Sequence, residues 1–212
     1  MTPTSADSRT RLLDAALAAI RRKGYSATTV DELCAATGLS KGSFFHHFKG
    51  KEDLGLAAVQ HWNDTTGALF ASASYQQLAD PRARLLAYID LRAELALGEL
   101  PDITCLLGTL VQETYATHPA LRDACRAGIE GHAATLVPTI AEAKARHAPR
   151  ARWTPESLAL FTQAALQGAF IVAKAAGDAN AAAPLIAHLR AYVQGLLPLQ
   201  PTAPTPRRRP KR

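Results

Sequence analysis

Periodicity is the strongest constraint on what this chain can become. Apolar residues recur every three or four positions along almost its whole length, and no stretch alternates apolar with polar residues as a half-buried strand would. Leu13, Leu17 and Ile20 mark one such stripe. Start and stop signals divide the pattern. Gly24 ends a first helix, Thr29-Val30-Asp31-Glu32 reads as a capping box, and Ser40 is an N-cap. Asp80-Pro81, Pro101-Asp102, His118-Pro119 and Thr154-Pro155 place proline in a first turn or beside a cap. These signals predict an all-α fold of about nine helices, spanning 8–23, 30–36, 40–48, 51–73, 80–97, 101–117, 118 onward with a kink at Pro138, 154–177 and 180–197.

Composition excludes several classes. Cys34, Cys105 and Cys125 are odd in number and widely spaced, so neither a disulfide scaffold nor a zinc site is expected. No paired carboxylates, metal triad or nucleophile–base pattern stands out, so neither an enzyme nor a cofactor is expected. The N-terminal MTPTSADSRTR has no apolar core of a secretory signal. The most apolar stretch, 164–176, is interrupted by Gln167 and Lys174, so no membrane partner is expected and a cytoplasmic location fits. The net charge of +6 suggests nucleic acid, yet five of those charges sit in the terminal RRRPKR. Residues 198–212, rich in proline and base, are expected to be disordered. The case for DNA must therefore rest on the body of the chain.

It rests on GLSKGSFFHHFKGK, residues 38–51. Helices two and three, joined by a turn at Gly38, have helix-turn-helix spacing, in which the second helix leads into the major groove with its N-terminal residues. Phe44 and Phe48 lie four apart and share a face. They are predicted to pack against Leu13, Leu33 and Leu54. Lys41, Ser43 and Phe45 then fall on other sides, and His46 and His47 extend that outer surface. Lysine supplies donors to phosphate or guanine, and Gly42 permits close backbone approach. Thr29, Ser40 and Ser43 offer hydroxyls to phosphate, and Lys51 stands at the next helix N-terminus.

The run RTRLLDAALAAIRRKGYSATTVDELCAATGLSKGSFFHHFKGKEDL resembles the N-terminal domain of the TetR/AcrR family of transcriptional regulators, with GYSATTV, GLSKGS and HHFKGKEDL in order. The resemblance covers residues 6–66. It implies DNA contacts from Thr29, Ser40, Lys41, Gly42, Ser43, Phe45, His46, His47 and Lys51. The family often has tyrosine where Phe45 stands, so a phosphate bond through that hydroxyl is lost.

For residues 67–197 the resemblance implies a ligand-binding and dimerisation domain whose last two long helices meet a partner. Leu158, Phe161, Ala164, Ala165 and Gly168, then Ala187, Leu189, Tyr192 and Leu196, supply the apolar spacing. Dimerisation has a physical motive: one wrong base pair costs only about 1–3 kcal/mol, so two heads on a palindromic operator discriminate far better than one. Tyr88, Arg92, Gln112, Phe161, Gln167 and Phe170 are candidate ligand contacts because they bring polar or aromatic groups to apolar helices. Arg92 suits a carboxylate. CLLGTLVQETY, 105–115, resembles a segment of one family branch in which a cysteine at the Cys105 position senses electrophiles or oxidants. A first-turn position under an Asp102 cap would favour the thiolate.

These features point to a homodimeric repressor of a double-stranded DNA operator, released by a small-molecule or electrophile inducer. Two other readings remain compatible with the residues. One is a sequence-indifferent DNA-coating protein driven by the basic tail. The other is a helical ligand-binding protein whose helix-turn-helix is only structural.

Overall fold

The computed structural model describes residues 5–199. Among these residues the chain forms ten α-helices and no strand: α1 (Ser5–Lys23), α2 (Val30–Thr37), α3 (Lys41–His47), α4 (Lys51–Ser72), α5 (Pro81–Glu94), α6 (Leu100–Ile103), α7 (Leu106–Thr114), α8 (Pro119–His147), α9 (Pro155–Ala176) and α10 (Ala182–Leu196). The basic segment 207–212 lies outside the described residues.

Most of the expected signals act where they were read. The Thr29 hydroxyl accepts from Glu32 N at 3.3 Å, Ser40 from Ser43 N at 3.1 Å, and Asp80 from Ala83 N at 3.1 Å. Gly24, Gly38 and Gly177 adopt positive φ and end their helices, as glycine does without a Cβ penalty. The capping box at Thr29 is only half formed, because the Glu32 carboxylate turns away to pair with Lys23. A reciprocal box forms instead at Thr154, with Ser157 as its partner.

The predicted sixth helix is two helices. Arg21 Nη1 donates to the Asp102 carbonyl at 3.0 Å, taking the acceptor that the Leu106 N–H would use in a continuous helix. Thr104 is then extended, and α7 starts afresh after Cys105. Asp102 therefore does not cap the helix after Cys105; its carboxylate sits 3.7 Å from Arg21. Helix α8 continues through Pro138, whose ring lies on an exposed side.

Two cores organise the packing. One unites α5, α8, α9 and α10 through Leu85, Ile89, Ile140, Leu166, Ile186 and Val193. The other joins Leu12, Leu13, Leu33, Phe44, Phe48 and Leu54 to Leu106, Leu110, Leu121 and Cys125. The N-terminal core is thus not closed by residues 6–66 alone, since α7 and the start of α8 are built into it. Each such buried side chain contributes about 1.5–3 kcal/mol, so the two halves are bound by packing as well as by the connecting α4. Helix α9 is long and apolar enough to cross a bilayer by length and composition. Its inner face packs on α8 and α10, and its Gln163 side chain is buried and donates to Tyr88 Oη at 3.0 Å.

Candidate nucleic-acid interface and cavity

The outer edge of α3 is set by what its inner face buries. Phe44 is wholly buried and Phe48 nearly so, with ring centroids 5.5 Å apart, among Leu13, Leu33 and Leu54. That fixes the helix rotation. Phe45, 58% exposed, is left outside with its edge against Phe44. Thr29, Ser40, Lys41, Gly42 and His46 are also exposed, and Ser43 and His47 are half-buried.

Several of these groups have internal partners that the sequence did not reveal. Lys41 Nζ lies 2.8 Å from Asp31, an exposed pair of the kind that binds weakly. The hydrogen bond from Lys41 to Asp31 holds the lysine's pKa above its ordinary value. The hydroxyls of Thr29 and Ser40 accept cap bonds, and each keeps its own proton to donate. Burial, then His46 and Arg9, depress the His47 pKa, so this ring offers neutral hydrogen-bonding groups at pH 7 rather than a charge. Lys51 turns back into the fold, where Nζ donates to Ser26 O at 3.1 Å and lies 4.4 Å over the Tyr25 ring. It therefore presents less free charge than expected. Two cations absent from the expected set stand beside this edge. Arg9 of α1 lies 5.4 Å over Phe48, and Lys49 is exposed in the turn after α3. Lys49 was visible in the motif itself, whereas Arg9 reaches the edge only through the packing of α1 on α3.

The second feature is a set of adjoining cavities at the junction of α4–α7 with α9. One of about 300 Å³ is lined by Cys105, Gly108, Gln112, Glu113, Gln167 and Lys174, among others. One of about 180 Å³ includes Trp62, Phe70, Arg92, Cys105 and Phe170, and a smaller space of about 50 Å³ reaches His132 and Gln163. Of the candidate ligand residues, Arg92, Cys105, Gln112, Gln167 and Phe170 come together here. Tyr88 lies behind them, fully buried, its hydroxyl 2.9 Å from His132 Nε2. Gln163 donates to that same hydroxyl, so the phenol oxygen sits between an amide donor and the His132 ring. Burial, with Arg92 adding, pushes the His132 imidazole down to about 4. Phe161 does not belong to the cavity. It sits on the outer face of α9, its ring tilted against that of Tyr192 with centroids 5.1 Å apart.

Glu113 connects the two features. Its carboxylate lines the largest of these three cavities and accepts from Tyr25 N at 2.9 Å and Ser26 N at 2.8 Å, in the loop leading to α2. A Cβ at Gly24 would stand 2.1 Å from the same carboxylate. The loop is therefore shaped around that side chain.

A short helix with a solvent-facing edge on a buried aromatic base, joined to a helical body with a cavity, has the arrangement expected of a DNA-binding transcriptional regulator. Comparison with known proteins agrees. Residues 12–58 match the family described as bacterial regulatory proteins, tetR family, and residues 81–189 match the tetracyclin repressor-like C-terminal domain. The transcriptional regulator AcuR of Cereibacter sphaeroides is 31% identical over 77% of this chain and 74% of its own. The repressor DhaR of a Mycobacterium species is 26% identical over 90% and 92%. A TetR regulatory protein from Rhodobacter sphaeroides has a TM-score of 0.77 at 27% identity, covering 87% of this chain and 98% of its own. A TetR regulator from Chloroflexus aurantiacus has 0.76 at 28%, covering 90% and 96%. The chain belongs to the TetR family, whose members are DNA-binding transcriptional regulators, typically repressors, and not enzymes.

Proposed function

We propose that this chain is a cytoplasmic, ligand-responsive repressor that binds a palindromic operator as a homodimer and is released when a small molecule occupies the cavity around Cys105. The observation that carries the reading is the edge of α3. Phe44 and Phe48 anchor the helix from behind, and Lys41, Phe45 and His46 face solvent. Phe45 gives apolar contact to a base or sugar. Lys41 exchanges Asp31 for a phosphate or a guanine edge, and Arg9 and Lys49 add phosphate contacts from either side.

The dimer is supported by an apolar face that no other element covers among the described residues. Leu160, Phe161, Ile171 and Val172 of α9 and Leu185 and Tyr192 of α10 are exposed. Exposed apolar surface of this extent marks an interaction site, and Ala164 and Gly168 between these residues allow close helix approach. The expected interface stripe is split by this arrangement, because Leu158 and Leu189 are spent on the internal core.

Coupling follows from Glu113. A ligand that binds better to a form in which this carboxylate leaves the Tyr25–Ser26 loop shifts the spacing of the reading heads, by no more than its differential affinity. A second reading has its own support: Cys105 borders all three cavities and is half-buried, so an electrophile small enough to enter would meet its thiol. Selection from random duplex DNA with the full chain, alongside light scattering, tests the proposal. A discrete palindrome bound by two copies is expected. Uniform enrichment of all sequences, or a monomer on the selected site, contradicts it.

A further inference from the structure

Arg92 is the basic residue of the cavity whose hydrogen bonds are not accounted for. Lys174, also in the cavity wall, donates to Thr109 Oγ1 at 2.9 Å, and nearby Arg21 holds Asp102. Arg92 is half-buried on α5, its guanidinium 5.3 Å from the Phe70 centroid and 5.6 Å from that of Phe170. No acceptor for its N–H groups is found among the described residues. Stacking on rings engages the faces of a guanidinium. It leaves the five N–H groups at the edge, the fork that a carboxylate takes in a bidentate grip.

Arg92 borders the cavity of about 180 Å³, whose walls include Trp62, Leu69, Phe70, Leu95, Ile103 and Phe170. The volume lies below the roughly 300–1,000 Å³ of sites for drug-sized ligands. Asp102, the acid at this cavity, is already paired with Arg21, so it leaves Arg92 uncompensated. One unpaired cation beside apolar walls matches one negative charge on a small apolar body. A dianion such as phosphate would bring more charge than the site answers, and desolvating it would be costly.

We infer that the inducer is a small monocarboxylate, its acid group gripped by Arg92 and its short apolar body seated between the rings. The inference rests on the ligand-responsive reading above, and it is tested without DNA. Benzoate and hexanoate are titrated calorimetrically into the full-length protein, each beside its neutral amide. At least one acid should bind tenfold or more tightly than its amide. Arg92→Gln should erase that preference while melting as the wild type does, and Arg92→Lys, which keeps the charge but not the fork, should retain part of it. Equal binding of acids and amides, absence of binding by both acids, or a preference that survives Arg92→Gln would overturn the assignment. Operator affinity measured on the same samples separates the two claims. Acids that bind through Arg92 yet leave operator affinity unchanged remove the ligand-responsive reading and leave Arg92 as an acid site. Release of operator by a neutral amide alone does the reverse.

Discussion

Glu113→Ala removes the contact through which we propose that the halves communicate, and its cost can be worked from the geometry. The wild-type carboxylate accepts two backbone N–H groups at 2.9 and 2.8 Å. A hydrogen bond to a charged group contributes about 1.5–3 kcal/mol. The Tyr25 bond is partly buried and takes the lower part of that range. Ser26 is exposed, its N–H is rehydrated when the carboxylate goes, and its bond contributes less. A total near 2 kcal/mol follows, and for a chain of this length that lowers Tm by about 4–8 °C. Glu113→Gln keeps one acceptor oxygen and should lose roughly half as much. Calorimetry gives the magnitude, and amide exchange at Tyr25 and Ser26 gives the location, because opening of this loop should become easier. If Glu113→Ala melts with the wild type and both amides exchange at unchanged rates, the carboxylate does not hold the loop, and the proposed route from cavity to recognition helix is wrong.

Further outcomes concern charge and chemistry. His132 titrates near 6.5 in an unfolded chain and about 4 in the fold, so between those values only the unfolded state binds the proton and stability falls as pH falls. About 2 kcal/mol should be lost between pH 7.5 and 5, and His132→Gln should flatten that decline in a series of thermal melts. Lys49→Ala should weaken binding to operator and random DNA alike and reduce the salt slope by about one per protomer; an unchanged slope would remove Lys49 from the phosphate contacts. Lys41→Ala, by contrast, should weaken the operator more than random DNA in the same titrations. Cys105→Ser should resist release from operator by alkylating reagents that release the wild type, and equal release of both proteins would exclude Cys105 as the sensor.

How far the sequence disclosed this molecule depends on the range of the interaction concerned. Local signals were readable. Thr29, Ser40, Asp80 and Thr154 cap the helices they precede, and the four-residue spacing of Phe44 and Phe48 placed both inside and Phe45 outside. Contacts distant in sequence were not. The break between α6 and α7 comes from Arg21, 81 residues away, capturing the Asp102 carbonyl. Nothing within LPDITCLLGT marks it, and the expected first-turn position of Cys105 fails with it. Lys51 was read from its place at a helix start, yet Ser26 and the Tyr25 ring draw it inward. Candidate ligand residues were chosen as polar or aromatic exceptions on apolar helices, a criterion blind to which side of α9 faces in. Gln167 and Phe170 accordingly reach the cavity, whereas Phe161 is on the far side. Glu113 carries no local signal of its role, and only the fold brings it to the Tyr25–Ser26 loop.

The claim at the centre is that DNA meets the outer edge of α3. Hydroxyl-radical oxidation of the full-length protein, free and saturated with its selected operator, tests it directly. Phe45 is 58% exposed and Leu97, just after α5, is 71% exposed, so both side chains are open to the reagent in the free protein. Oxidation of Phe45 should fall sharply on the operator while that of Leu97 holds steady. An undiminished rate at Phe45 under full occupancy would mean that another surface binds the DNA.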